Sequence, residues 1–144
     1  MSWIQDDRRA VLAPLASWSP AAWGGDWLGI YGPNESPGRD LTAQGDDSRP
    51  SGFLTWSIDY TGQPQGFLDG DANPIRRGFV VLALHVQLGA GEGVSAPLWE
   101  ELQGRYDGAD TGAMTFFADE ALPQAVGVKG EWHIESLGIP FVGT

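Results

Sequence analysis

The sequence predicts an α+β domain, in which an antiparallel or mixed sheet of about four to five strands carries helices packed on one face. Segments 53–61 and 79–88 have the alternating or continuously apolar patterns of strands, and segment 95–106 has apolar residues at helical spacing. The order of segments is helix, strands, helix, strands, which is typical of this class. The length of 144 residues favours a single domain over residues 1–144.

A short helix is predicted at the start of the chain. Ser2 followed by Gln5 matches a capping box, in which each side chain satisfies a free backbone N–H group of the first turn. Pro14 lacks a backbone N–H group and should stop or kink the helix near Ala13. A strand is then expected over residues 27–31.

Two long loops are predicted, at about 32–50 and 62–76, because these segments are rich in Gly, Pro and acidic residues. Connections of this length in a compact domain are usually functional or disordered. Trp18, Trp23 and Trp27 lie close together in irregular sequence before the first loop. They are candidates for a subunit or partner interface, because aromatic residues are enriched at such surfaces.

Segments 53–61 and 79–88 are expected to pair as an antiparallel hairpin with a long tip. In the second segment one face is apolar throughout, whereas the other changes from apolar to polar along its length. This half-polar face is where a neighbouring subunit is expected, and its candidate interface residues are Phe79, Val81, His85 and Gln87.

The last third of the chain begins with the helix over 95–106, for which Ser95 is the expected N-cap. Segments 113–117 and 125–128 are weaker strand candidates, and 131–142 is the final strand. In the final strand the apolar parity changes between Ile134 and Leu137. That change predicts a β-bulge at Ser136 or Gly138.

The charge of the chain is strongly acidic, with 19 acidic and 8 basic residues and a net charge of −11. Specific or tight nucleic-acid binding is not expected, because that affinity depends on Lys and Arg neutralising phosphates. The chain has no Cys, which excludes a disulfide scaffold and thiol catalysis. The sequence has no apolar run long enough for a membrane span and no pattern of a signal peptide, so synthesis in the cytoplasm is expected.

Three patterns in the sequence resemble chemical sites. His85 and His133 each lie within a predicted strand and could meet across the sheet, but two half-exposed strand histidines are the commoner case. Segment 69–73 begins like a calcium loop but lacks its later Gly and Glu. The glycine run at 89–93 lacks the Lys of a phosphate loop. No catalytic residue, cofactor or metal is therefore predicted.

Several segments carry a resemblance to a known family. Residues 77–81 lead into the hydrophobic strand 79–88. The glycine run 89–93 and the helix over 95–106 follow. The last strand then begins at 132–135 and ends at 139–142. This arrangement resembles the tail terminator proteins of long-tailed bacteriophages and related tail-like particles. The resemblance covers mainly residues 53–144, and its motifs are patterns rather than invariant signatures. Residues 17–50 depart from it.

The resemblance implies a structural virion protein without catalysis. Such proteins form a hexameric ring on the head-proximal end of the tail tube, where they stop its polymerisation. They then contact the head-completion or connector protein, and DNA passes through the ring without specific binding. By that implication, the partners are further copies of this chain, the tail tube protein and the connector. Candidate acidic residues lining the hole are Asp46, Asp47, Asp69 and Asp71.

Three alternatives remain open at the level of sequence. Another phage neck or tail component of similar fold would share the same pattern. A carbohydrate-binding β module is favoured by the seven tryptophans and the many acidic residues. A small hydrolase would use His85, His133 and nearby carboxylates.

Overall fold

The computed structural model describes residues 3–16, 18–20, 26–33, 51–61, 75–89, 95–107, 109 and 114–143. Two short 3₁₀ turns lie at Ala13–Leu15 and Ala118–Glu120. The helices and strands in chain order are α1 (Trp3–Leu12), β1 (Asp26–Tyr31), β2 (Ser51–Tyr60), β3 (Arg76–Gln87), α2 (Ala96–Tyr106), β4 (Met114–Phe116), β5 (Gln124–Lys129) and β6 (Trp132–Gly143).

The described strands form one sheet in the order β1-β2-β3-β6-β4, with β5 also paired to β6. β1 runs parallel to β2, and every other pair is antiparallel. β3 and β6 pair without interruption from Arg76 opposite Gly143 to Gln87 opposite Trp132. On its other edge β6 carries β4 near its C-terminal end and β5 near its N-terminal end. The two long central strands therefore position everything else.

The predicted fold class is wrong. The part of the chain that the structure describes is mostly β, with 53% of its residues in strands and two α-helices, and its sheet curls into a half barrel instead of carrying helices on one face. Backbone contacts between either helix and the strands are few. They contribute side chains to the core inside the curl without forming a separate layer. Strands twist with a fixed hand, so two long paired strands and their shorter neighbours favour a curled sheet over a flat one.

Most individual elements are confirmed. The helix over 95–106 is α2, the strands at 53–61 and 79–88 are β2 and β3, and these two pair antiparallel. The first helix ends at Leu12, and Pro14 lies in the 3₁₀ turn that follows. The predicted bulge at Ser136 or Gly138 is wrong, because β6 keeps a regular register with β3 through both positions.

A single core cluster fills the inside of the curled sheet. Val80, Leu82, Leu84 and Val86 of β3 are each at most 4% exposed, as the continuous apolar face predicted. The apolar stripe of α2 packs into the same cluster. That stripe consists of Leu98, Trp99, Leu102 and Tyr106.

The predicted long loops lie largely outside the described residues, which omit 34–50 and 62–74. At the end of the second loop, Arg76 instead belongs to β3 and is buried. Among the described residues, no helix has both the length and the apolar composition required to cross a membrane.

Candidate assembly surface

The side chains of β2, β3 and β6 that point away from the core form the outer face of the sheet. Cross-strand pairing arranges them in rows, because directly opposite residues project to the same side. The rows in sequence along the face are Asp59 with Phe79 and Pro140, Ser57 with Val81 and Gly138, Thr55 with Ala83 and Ser136, and Phe53 with His85 and Ile134.

One end of the outer face is covered by its own aromatic side chains. The Phe53 ring stacks on His85 at a centroid distance of 4.1 Å and an interplanar angle of 12°. Trp132 and Tyr31 meet the same ring edge-on, at 4.9 and 6.0 Å. Phe53 and Trp132 are buried as a result. This end is therefore largely closed within the single chain.

The other end of the outer face is open and forms a groove of about 450 Å³. Phe79 is 39% exposed beside it, and Gly138, next to the Phe79 ring, has no side chain to fill the space. Gln103 of α2 donates a hydrogen bond of 2.6 Å to the Ala121 carbonyl, and this bond fixes the position of Ala121 in the groove wall. The groove is lined by Asp59, Phe79, Val81, Ala121, Leu122, Gln124, Ser136, Gly138 and Pro140.

The groove is poor in charge for a chain of net charge −11. Asp59 is the only ionisable side chain among its lining residues. Elsewhere, two copies of such an acidic chain would repel each other, and like charges brought together across an interface cost several kcal/mol. The groove is thus a place where a second copy can approach with little repulsion.

The strand β5 lies beside the groove and is exposed on both of its faces. Val126 is 63% exposed and Val128 is 62% exposed, while Leu122, just before the strand, is 78% exposed. Soluble monomers rarely expose clustered apolar side chains in this way unless the surface binds something. Leu122 and Gln124 line the groove, and we call the rest of the strand, residues 125–129, the β5 patch.

The predicted interface residues fall into different surroundings. Phe79 and Val81 line the groove, whereas His85 lies in the closed aromatic end of the outer face. Gln87 accepts a hydrogen bond of 3.0 Å from the Ser51 amide, so it ties β3 to β2. A neighbour can therefore reach the first two directly, and the role of all four at an interface stays a prediction.

Of the three tryptophans predicted as an interface, the two described ones do not form an open surface in the single chain. Trp18 is 6% exposed and meets Trp27 edge-on at a centroid distance of 5.3 Å. Both line a shallow cavity of about 330 Å³ between the end of α1 and β1. Trp23 lies outside the described residues, as do all four predicted lumen residues, Asp46, Asp47, Asp69 and Asp71.

The two histidines do not form a joint site. His85 points to the outer face, and His133, which pairs with Val86, points to the opposite face. His133 Nε2 lies 3.7 Å from Glu135 Oε2, while Trp99 Nε1 donates to the other carboxylate oxygen of Glu135 at 3.1 Å. Among the described residues no group of three or more His, Cys, Asp or Glu is placed to hold a metal ion.

Stability should depend on pH through His85. Burial under Phe53 lowers the pKa of His85 below 6.5; a hydrogen bond to the Ala83 carbonyl opposes this shift, and the positive charge of Lys129 adds to it. A depressed pKa means that the unfolded chain takes up the proton first as pH falls. The contribution of neutral His85 to the free energy of unfolding is therefore complete above pH 6.5. It is lost as the pH falls from 6.5 through the pKa of His85 in the folded chain.

The matching measurement is urea unfolding of the wild type and His85→Gln at a series of pH values below neutrality. The wild type should lose stability more steeply on acidification than the variant, because the variant lacks the titrating ring. Equal slopes would show that His85 protonates as easily in the folded chain as in the unfolded one.

Sequence comparison gives no independent identification: neither models of known protein families nor curated protein sequences match this chain. Evidence for the function of this chain therefore comes from its surface geometry and its sequence patterns.

Proposed function

We propose that this protein is a non-enzymatic structural subunit of a phage tail, a terminator that forms a homohexameric ring on the head-proximal end of the tail tube. In that role it stops tube polymerisation and joins the tail to the connector, while DNA passes through the ring without specific binding. The proposal places the protein in the virion. It is supported by the resemblance of residues 53–144 and by an outer face suited to subunit contact.

The observation that carries the proposal is the groove at Phe79 and Val81. It combines exposed apolar side chains with a single charge, on a chain whose surface is otherwise acidic. Interface centres are depleted in charge, as this groove is, and Phe79 supplies an aromatic side chain of the kind found at such centres. A ring requires such a surface on every subunit.

The carbohydrate-binding alternative receives less support. A sugar platform needs indole rings open to solvent, whereas Trp18, Trp56, Trp99 and Trp132 are all buried. Trp27, also described, is partly buried and packs against the core. These five tryptophans thus act mainly as packing residues.

Aspartate in place of Phe79 should break the assembly. Phe79→Asp removes an exposed apolar contact and places a second carboxylate next to Asp59, so each contact should weaken by about 2 kcal/mol or more. Light scattering and electron microscopy should show rings for the wild type and single chains for the variant. Tube assembly in the presence of each protein would report the capping activity.

The matched control is Ile4→Asp, which makes the same type of change at a residue of α1 that is 44% exposed and lies away from the groove. It should assemble like the wild type. A wild-type protein that stays monomeric at high concentration and leaves tube growth unchanged would rule out the terminator role.

A further inference from the structure

The β5 patch is an edge that the single chain leaves unprotected. Among the described strands β5 pairs only with β6, so its second edge has no strand partner. Natural proteins usually cover or charge such an edge, because exposed strands associate non-specifically. Here Val126 and Val128 are more than half exposed, and the only charge in the strand is Lys129 at its end.

The local geometry of β5 disfavours simple extension of the sheet. The register with β6 shifts between Ala125 and Gly127, which leaves Val126 as the extra residue of a bulge. Gly127 has a φ of 137°, a backbone conformation that suits glycine. Bulges interrupt regular strand addition. The patch is therefore suited to contact through its side chains, and both of its faces are available for this.

The groove and the β5 patch are complementary in charge. The groove carries one negative side chain, Asp59, and the patch carries one positive side chain, Lys129, which is the only lysine of the chain. Both are exposed, and neither forms an ion pair within the part of the chain that the structure describes. An ion pair between two copies would neutralise both surfaces and fix their orientation.

We infer that the contact between copies of this chain is heterologous, with the β5 patch of one copy seated in the groove of the next and Lys129 facing Asp59. This inference rests on the proposed ring. Each chain then uses its β5 patch on one neighbour and its groove on the other. A ring of more than two identical subunits requires such a head-to-tail contact. A symmetric contact of groove against groove would instead bring two Asp59 side chains together.

Charge reversal tests the pairing of the two surfaces. Asp59→Lys and Lys129→Asp should each weaken association about fivefold, because the attraction becomes a repulsion. The double variant restores opposite charges across every contact, and association should return to nearly the wild-type level. Sedimentation equilibrium measures all four proteins, and thermal unfolding should be nearly unchanged, since both residues are exposed. A double variant as weak as the single ones would overturn the pairing.

Complementation tests the heterologous arrangement. Val126→Asp with Val128→Asp spoils the patch and leaves the groove intact, whereas Phe79→Asp spoils the groove and leaves the patch intact. Each protein alone should stay monomeric at the concentration where the wild type assembles. Their mixture should form one-to-one dimers that grow no further, because only one competent contact exists per pair.

The outcomes separate the two proposals. A patch variant that still forms wild-type rings, or a mixture without dimers, overturns the contact and leaves the terminator role standing. A wild-type chain that neither assembles nor caps tubes overturns both.

Discussion

Replacing Asp7 by asparagine is expected to lower the free energy of unfolding by about 3 to 5 kcal/mol. Asp7 is 0% exposed and Arg76 is 1% exposed. The Arg76 guanidinium donates two hydrogen bonds to the Asp7 carboxylate, from Nε to Oδ2 at 2.7 Å and from Nη2 to Oδ1 at 2.6 Å. Tyr60 donates its hydroxyl to Oδ2 at 2.8 Å. Loss of the carboxylate charge would break this ion pair at a buried site, where the charge of the Arg76 guanidinium is costly to keep.

This ion pair connects distant parts of the chain, since it joins α1 to the start of β3, with Tyr60 at the end of β2. It also fits closely, because a side chain at Gly143 would come within 2.9 Å of the Arg76 guanidinium. A buried pair of this kind is costly to break but contributes little compared with an apolar replacement of similar volume. Its effect is mainly to specify how α1 docks.

Two further variants distinguish breaking the pair from replacing it. Asp7→Leu combined with Arg76→Met should recover most of the stability lost in Asp7→Asn, because apolar side chains replace both members of the buried pair. Asp6→Asn, in the same helical turn, should cost no more than about 1 kcal/mol through the helix dipole. Urea unfolding gives all these values. An Asp7→Asn variant within about 1 kcal/mol of the wild type would show that the pair is not buried in solution.

Replacing Gly78 by alanine should destabilise the protein by about 3 kcal/mol, a large effect for one added methyl group. Gly78 lies in β3 opposite Tyr60 of β2 and Phe141 of β6. A Cβ atom there would lie 2.9 Å from the Tyr60 Cα and would also clash with the Asp59 carbonyl oxygen. These are backbone atoms, so relief requires β2 and β3 to separate locally.

Gly104→Ala is the matched control, because the same methyl group enters open space. No atom lies within 4 Å of the added Cβ on α2. Alanine should instead stabilise the helix by about 0.5 to 1 kcal/mol. Thermal unfolding of both variants should therefore shift in opposite directions. A Gly78→Ala protein as stable as the wild type would mean that β2 and β3 are not in such close contact.

Local patterns predicted the elements well. The alternation of residues 53–61 became β2, and the apolar face of residues 79–88 became the buried side of β3. The helical spacing of Leu98, Leu102 and Tyr106 became the buried stripe of α2. In each case the periodicity of one segment alone shows which side is apolar, and burial follows from it.

The final strand shows where such patterns mislead. The change of apolar parity in residues 131–142 predicted a bulge, but β6 is regular and simply has apolar residues on both faces. Trp132 belongs to the aromatic end of the outer face, and Leu137 belongs to the core. A strand with neighbours on both faces does not need to alternate.

The candidate assembly surface was predicted only in part. Phe79 and Val81 were recognised because the second face of β3 changes from apolar to polar along the strand. The sequence does not single out Leu122 or the β5 valines, although segment 125–128 is a strand candidate. Nothing in their own sequence shows that both faces of β5 stay uncovered, since exposure depends on which other elements pack there.

By itself, the sequence determined the positions of the strands and helices, the apolar side of each and the acidic charge, because these follow from residues close together in the chain. Only the tertiary structure decided that the sheet curls into a half barrel, that Asp7 meets Arg76, and that a groove opens beside an exposed β5. These features depend on pairing and packing between residues far apart in sequence. Such contacts are chosen by the combined geometry of all strands, which no single segment encodes.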